Sequence, residues 1–144
     1  MPMVDYLILA DAVAAAEGKH YIHGAGWDTI WARSFPVMHA SLGVAARIRL
    51  SAEEAGDDLR LTFDIASDDG QSILPEPIEA SIHTDVQHPG FGVAPVIPFA
   101  LNLANVRFPA AGTYHAVLRK GELPLADATF NLRMLPEIRE SAQA

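Results

Sequence analysis

The chain has 144 residues, 50% of them hydrophobic and 19% charged, so it can bury the core of one folded domain and is not a disordered segment. It contains no cysteine, which excludes a disulfide framework, a thiolate metal site, an iron–sulfur cluster and a Cys nucleophile. Its net charge of -8, from 10 basic and 18 acidic side chains, argues against nucleic acid and against an anionic membrane surface as partners.

Residues 1–16 contain the apolar run Leu7-Ile8-Leu9-Ala10, but no Lys or Arg precedes it, and Asp5 and Asp11 flank it closely. A secretory segment needs a basic start and a longer apolar middle, so none is expected. Nor does any stretch approach the ~20 apolar residues of a membrane span, and a cytoplasmic location is expected.

In chain order, Val4, Tyr6, Ile8, Ala10 and Ala12 share one strand parity, Glu17-Gly18-Lys19 is a turn, and residues 19–24 pair back, which predicts a hairpin over 4–24. Gly24 to Pro36 reads as an irregular crossover carrying Trp27 and Trp31. From Met38 to Leu50 every second residue is apolar: Met38, Ala40, Leu42, Val44, Ala46, Ile48 and Leu50. That period predicts a long strand with one buried face, and it puts His39, Ser41, Gly43, Arg47 and Arg49 on the other.

Ser51 to Asp58 is a polar connection in which Ser51 and Glu54 have the spacing of a capping pair. Leu59 to Ala66 is the next predicted strand, Asp68-Asp69-Gly70 a turn, and Ile78 to Thr84 a further strand. Asp85 to Pro98, with three prolines and two glycines, reads as a loop. Ile97, Phe99, Leu101 and Leu103 then alternate, but Val106 and Phe108 fall on the opposite parity, which predicts a β-bulge near Asn105. Strands at 113–120 and 125–134 follow, separated by Gly121-Glu122, with Tyr114, Ala116 and Leu118 inward.

About eight strands at this rhythm, with no strand–helix alternation, predict an all-β fold. The expected architecture is a single antiparallel β-sandwich, of immunoglobulin-like or jelly-roll type, over residues 1–135, with 136–144 as a C-terminal tail.

Residues 8–12 (Ile-Leu-Ala-Asp-Ala) and 18–27 (Gly-Lys-His-Tyr-Ile-His-Gly-Ala-Gly-Trp) resemble the opening of a bacterial family known only as a domain of unknown function. The strand ending in Arg47 and Arg49 and the turn Gly112-Thr113-Tyr114 are similar to later parts of the same family. The resemblance implies a small bacterial β-sandwich of unassigned activity, and it supplies no catalytic residues.

Chemistry is sparse. His39, His83 and His115 each take the polar parity of a strand, so they would converge on a metal only if their strands were neighbours. No metal, cofactor or catalytic residue is expected from the spacings present. Asp57-Asp58 and Asp68-Asp69-Gly70 lack the ligand pattern of a calcium loop and read as solvated turns. No Gly-x-Ser-x-Gly elbow or phosphate loop occurs. The loop aromatics Trp27, Trp31, Phe35 and Phe91, with His88, are the candidate binding residues, against the simpler reading that the tryptophans cap the core. The expected role is a non-enzymatic interaction or assembly module that meets a protein partner or a second copy through an edge strand or an exposed sheet face. The alternative is a small-ligand or metal-binding β-fold, with or without catalytic activity, with the three histidines as its centre.

Overall fold

The computed structural model describes residues 1–51, 53–54, 56–83 and 95–136. Among these the chain forms ten strands and no helix: β1 (Met3–Ala10), β2 (Ala12–Ala16), β3 (Lys19–His23), β4 (Thr29–Ala32), β5 (Val37–Arg49), β6 (Asp58–Ser67), β7 (Ile78–His83), β8 (Val96–Phe108), β9 (Gly112–Lys120) and β10 (Leu123–Met134). They assemble as a three-stranded sheet β1-β5-β8, a five-stranded sheet β4-β10-β9-β6-β7 and a two-stranded ribbon β2-β3.

One core joins the two larger sheets. Leu42, Val44, Ala46 and Ile48 of β5 face Leu61, Phe63 and Ile65 of β6 and Phe130 and Leu132 of β10 within a single buried cluster. The aromatic centre is Phe108, Tyr114 and Phe130, with ring centroids 5.1 to 6.0 Å apart. This is the relation of a β-sandwich, and the alternation in β5, β6, β9 and β10 is its cause. The Tyr114 hydroxyl donates to the Ala110 carbonyl at 2.6 Å, which ties the buried ring to the turn before its own strand.

Several expectations need correction. The N-terminal hairpin is only β2–β3, turning at Glu17-Gly18; the chain breaks at Asp11, and β1 pairs with β5 instead. The crossover from Gly24 to Pro36 contains β4, whose pairing with β10 is parallel, so the fold is not wholly antiparallel. Pro98, assigned to the loop, lies inside β8.

The long alternation fails at its start. From Leu42 to Leu50 it holds, but Met38 is 57% exposed, and His39 is the half-buried residue. The cause lies on the neighbouring strand: Asn105 adopts φ +54°, a left-handed conformation that Asn tolerates, and β8 reverses its faces there. β5 changes face at Ala40, directly opposite. The β5–β8 ladder therefore keeps a single register, Val37↔Phe108 to Arg49↔Val96, while both strands exchange inside for outside at the same level.

Candidate functional site

The three-stranded sheet is two strands narrower than the sheet it covers. β1 packs against β10 across the sandwich, so cover starts there and runs out at the far side. Burial shows where. On β6 the inward residues Leu59, Leu61, Phe63 and Ile65 are at most 4% exposed, whereas Ile78, Ala80 and Ile82 on β7 are only half-buried. Among the described residues, β7 and β8 each have one hydrogen-bonded neighbour.

The ribbon β2–β3 closes the space beside β8 from the outside. It lies on the outer face of β5 and β8, where Ala10, Val13 and Ala45 form a second small core with Ile22 and Ala100. Gly43 makes this approach possible: a Cβ there would meet the Ala12 backbone at 3.0 Å. Asn102 of β8 then acts as a one-residue strand. Its amide oxygen accepts from Val13 N–H at 2.9 Å, and its amide nitrogen donates to the Val13 carbonyl at 2.8 Å. Ser41 donates to the Asp11 carbonyl at 2.7 Å.

His20 fastens the other strand of the ribbon. A carbonyl can only accept, so Nε2–H donates to Phe99 C=O (2.8 Å), and Nδ1 accepts the Tyr6 hydroxyl (2.6 Å).

The result is a groove of about 560 Å³ lined by Val13, Ala14 and Ala15 of β2, Ala80 and Ile82 of β7, and residues 97–100 and 102 of β8. The Leu50 N–H donates to the Pro95 carbonyl, so in an antiparallel ladder Ile97, Phe99 and Leu101 turn their backbone groups to β5. Pro98, Ala100 and Asn102 turn theirs to the open side. A proline at an outward position agrees, since it has no N–H to offer a neighbour. The run Ala14-Ala15-Ala16, small on both faces, and the mid-strand Pro98 were the sequence signals of a closely packed ribbon beside an open edge.

The residues expected to form a site are placed differently. Trp27 caps the core: its Nε1–H donates to the Gly24 carbonyl at 2.7 Å, and its ring meets Phe130 and His39 edge-on. Phe35 also packs against the core cluster. Trp31 is 51% exposed on β4. His88 and Phe91 lie outside the described residues.

The three histidines do not come together. His39 points inward on β5, opposite to its expected face, with Nε2 buried and without a hydrogen-bond partner among the described residues. His83 and His115 face outward on the other sheet, where His83 pairs with Asp58 (2.7 Å) and His115 with Asp68 (2.9 Å). Among the described residues, no group of three or more potential metal ligands is present.

Arg47 and Arg49 both pair with Asp5 on the neighbouring strand, the facing-acid arrangement expected of exposed sheet arginines. Below them, burial alone would raise the Glu54 carboxyl. Hydrogen bonds from the N-terminal ammonium and from the Ser51 backbone and hydroxyl outweigh it and bring the pKa from 4.5 to about 2. Asp69 is held below its ordinary value by the Ser67 hydroxyl and the Gln71 N–H.

Among the described residues, no helix is long and apolar enough to cross a membrane. Residues 5–133 match the model of a family described as a family of unknown function, DUF6941. Among solved structures the chain is similar to the alkylpurine DNA glycosylase AlkC of Pseudomonas fluorescens, solved bound to DNA containing an abasic site analogue (TM-score 0.50, 13% identity). That match covers 92% of this chain and 30% of the glycosylase, so the chain spans less than a third of that protein's length. It is also similar to an immunoglobulin-like protein from Pseudomonas aeruginosa, with a TM-score of 0.43, 18% identity, and 92% and 97% of the two chains covered. No curated protein matches the chain. At 13% identity the likeness to the glycosylase is one of fold alone.

Proposed function

We propose that this chain, which belongs to the DUF6941 family of unknown function, is a non-enzymatic interaction module that works through the open edge of its sandwich. The observation that carries the reading is the groove beside β8, where among the described residues two strand edges and a braced ribbon meet at a largely apolar lining. Sheet edges are natural sites of strand addition, and the β8 edge carries no lysine, while Pro98 leaves the outward N–H groups of Ala100 and Asn102 to offer a neighbour. The acidic, cysteine-free composition suits a cytoplasmic module whose partner is a protein or another copy rather than nucleic acid or membrane.

Panning a random peptide display library on the immobilised protein tests this, with the Ala15→Trp variant, which fills the groove, as counter-target. Peptides enriched on the wild type and lost on the variant are expected; enrichment indifferent to the groove, or none, overturns the reading.

A second reading, a ligand-binding or catalytic β-fold, has one observation in its favour. His115 Nε2 lies 2.9 Å from Asp68 Oδ1, and its Nδ1 lies 3.2 Å from the Thr129 hydroxyl, an acid–base–hydroxyl array on an exposed sheet face. Hydrolysis of an activated ester that is lost in His115→Ala, with peptide capture intact, would favour it.

A further inference from the structure

We infer that the methionines of this chain, Met38 above all, are sites of reversible oxidation to the sulfoxide, and that the fold takes up this oxygen without opening. This goes beyond the interaction reading and does not depend on it. With no cysteine present, the chain's only sulfur atoms are the thioethers of Met1, Met3, Met38 and Met134. Methionine is ordinarily among the residue types most often buried, because its unbranched side chain fills gaps in a core. Here all four are between 53% and 69% exposed, and none belongs to either core cluster. The folded chain therefore presents its thioethers to dissolved oxidants.

Hydrogen peroxide supplies the oxygen. The thioether sulfur attacks one peroxide oxygen, and the S–O bond forms as the O–O bond breaks. The departing hydroxide takes the proton left on the transferred oxygen and leaves as water. Sulfur loses two electrons and peroxide gains them. The product is polar, and in a core its oxygen would be buried without a partner. At these exposed positions it is solvated, so oxidation removes none of the packing that joins the two larger sheets.

Met38 has, in addition, a protein partner for the product. It lies directly across from Arg107 in the β5–β8 ladder, and both residues are exposed. Side chains of directly opposed residues stand within reach of one another. Among the described residues no ion pair engages Arg107, so its guanidinium is available to donate to a sulfoxide oxygen on Met38. Met3 likewise faces Arg49, but that guanidinium is already engaged by Asp5. Met134 faces Ala32, which offers no donor side chain.

The test exposes the full folded chain to hydrogen peroxide and follows each methionine by peptide mass mapping, with a short unstructured methionine peptide in the same tube as rate standard. We expect Met3, Met38 and Met134 to oxidise within about threefold of the standard, and the oxidised protein to melt within about 2 °C of the untreated one. Methionine sulfoxide reductases with a dithiol should restore the original mass, the dithiol becoming a disulfide as the oxygen leaves as water. Leu132→Met sets a thioether into the core, where it should react at least roughly tenfold more slowly and lower the melting temperature once oxidised. Leu42→Met makes the same comparison should Leu132→Met not fold. In Arg107→Ala, oxidation should lower the melting temperature by about 1–2 °C more than it does in the wild type. Protection of Met3, Met38 or Met134 by more than about tenfold, or unfolding on oxidation, overturns the proposal. A core methionine that reacts as fast as Met38 overturns the claim that placement shields the fold. An oxidation effect identical in wild type and Arg107→Ala overturns the singling out of Met38.

Discussion

Asn102 is where the ribbon is held to the sheet, and its removal tests that claim directly. Asn102→Ala deletes two side-chain-to-backbone hydrogen bonds, to Val13 N–H and to Val13 C=O. At about 0.5–1.5 kcal/mol net for each, the loss is about 1–3 kcal/mol, and the solvent access of Asn102 puts it in the lower half. Asn102→Asp is the sharper variant. It keeps an acceptor for Val13 N–H but sets a carboxylate oxygen against the Val13 carbonyl, where the amide had donated at 2.8 Å. The folded state then favours the protonated acid, so the carboxyl is raised above its unfolded value of about 3.9. The variant should be closest to wild type below that pH, and lose stability as the pH rises through the folded value. Urea unfolding across pH 3–7, with amide hydrogen exchange at Val13, reads both effects. An unchanged Val13 exchange rate, or an Asp variant as stable as wild type at pH 7, would refute the claim that this amide holds the ribbon down.

Three further outcomes follow from the same packing. Gly43→Ala should destabilise: a Cβ 3.0 Å from the Ala12 backbone costs about 1–3 kcal/mol in overpacking, more than the roughly 0.4–1 kcal/mol gained by restricting the unfolded chain. A neutral or stabilised variant by thermal melting would show that the ribbon sits loosely. Phe130→Ala, at the centre of the aromatic core, should cost about 3–5 kcal/mol by urea titration, because Phe108, Tyr114 and Trp27 all lose a ring contact. Glu54, whose carboxyl is depressed to about 2 from 4.5, contributes stability that is present above 4.5 and lost as the pH falls towards 2. Glu54→Gln should therefore lower stability at neutral pH and flatten that acid limb, and an unchanged acid limb would show that the carboxylate is not held by Ser51 and the N-terminus.

How far the sequence carried the fold is clearest on β5. Its alternation from Leu42 to Leu50 names the inward face correctly, because pleating is a local property and the apolar side chains have one dry place to go. The same count misplaced Met38 and His39, since the strand reverses face where Asn105 of a neighbour 65 positions away turns left-handed. Half of that event was legible, in the parity change between Leu103 and Val106. Its partner on β5 was hidden, because Ala40 is apolar and suits either face.

The candidate site was less legible still. Trp27 and Phe35 drew attention as aromatics, yet they fill the core; Ala14, Ala15 and Ala80, which line the groove, have no chemical signature.

From its sequence alone this chain is an all-β protein with identifiable inward faces, tight turns at its glycines and no room for thiol chemistry. Those properties depend on neighbours along the chain, and side-chain period, backbone propensity and composition record them. Which strands lie side by side, that β4 runs parallel to β10, that a ribbon is strapped outside the smaller sheet and that β8 has one neighbour among the described strands were decided only on folding. Strand order is a choice among distant edges that present the same backbone groups. Sidedness costs little to encode locally, whereas pairing is settled by whichever arrangement buries the apolar faces of all ten strands together.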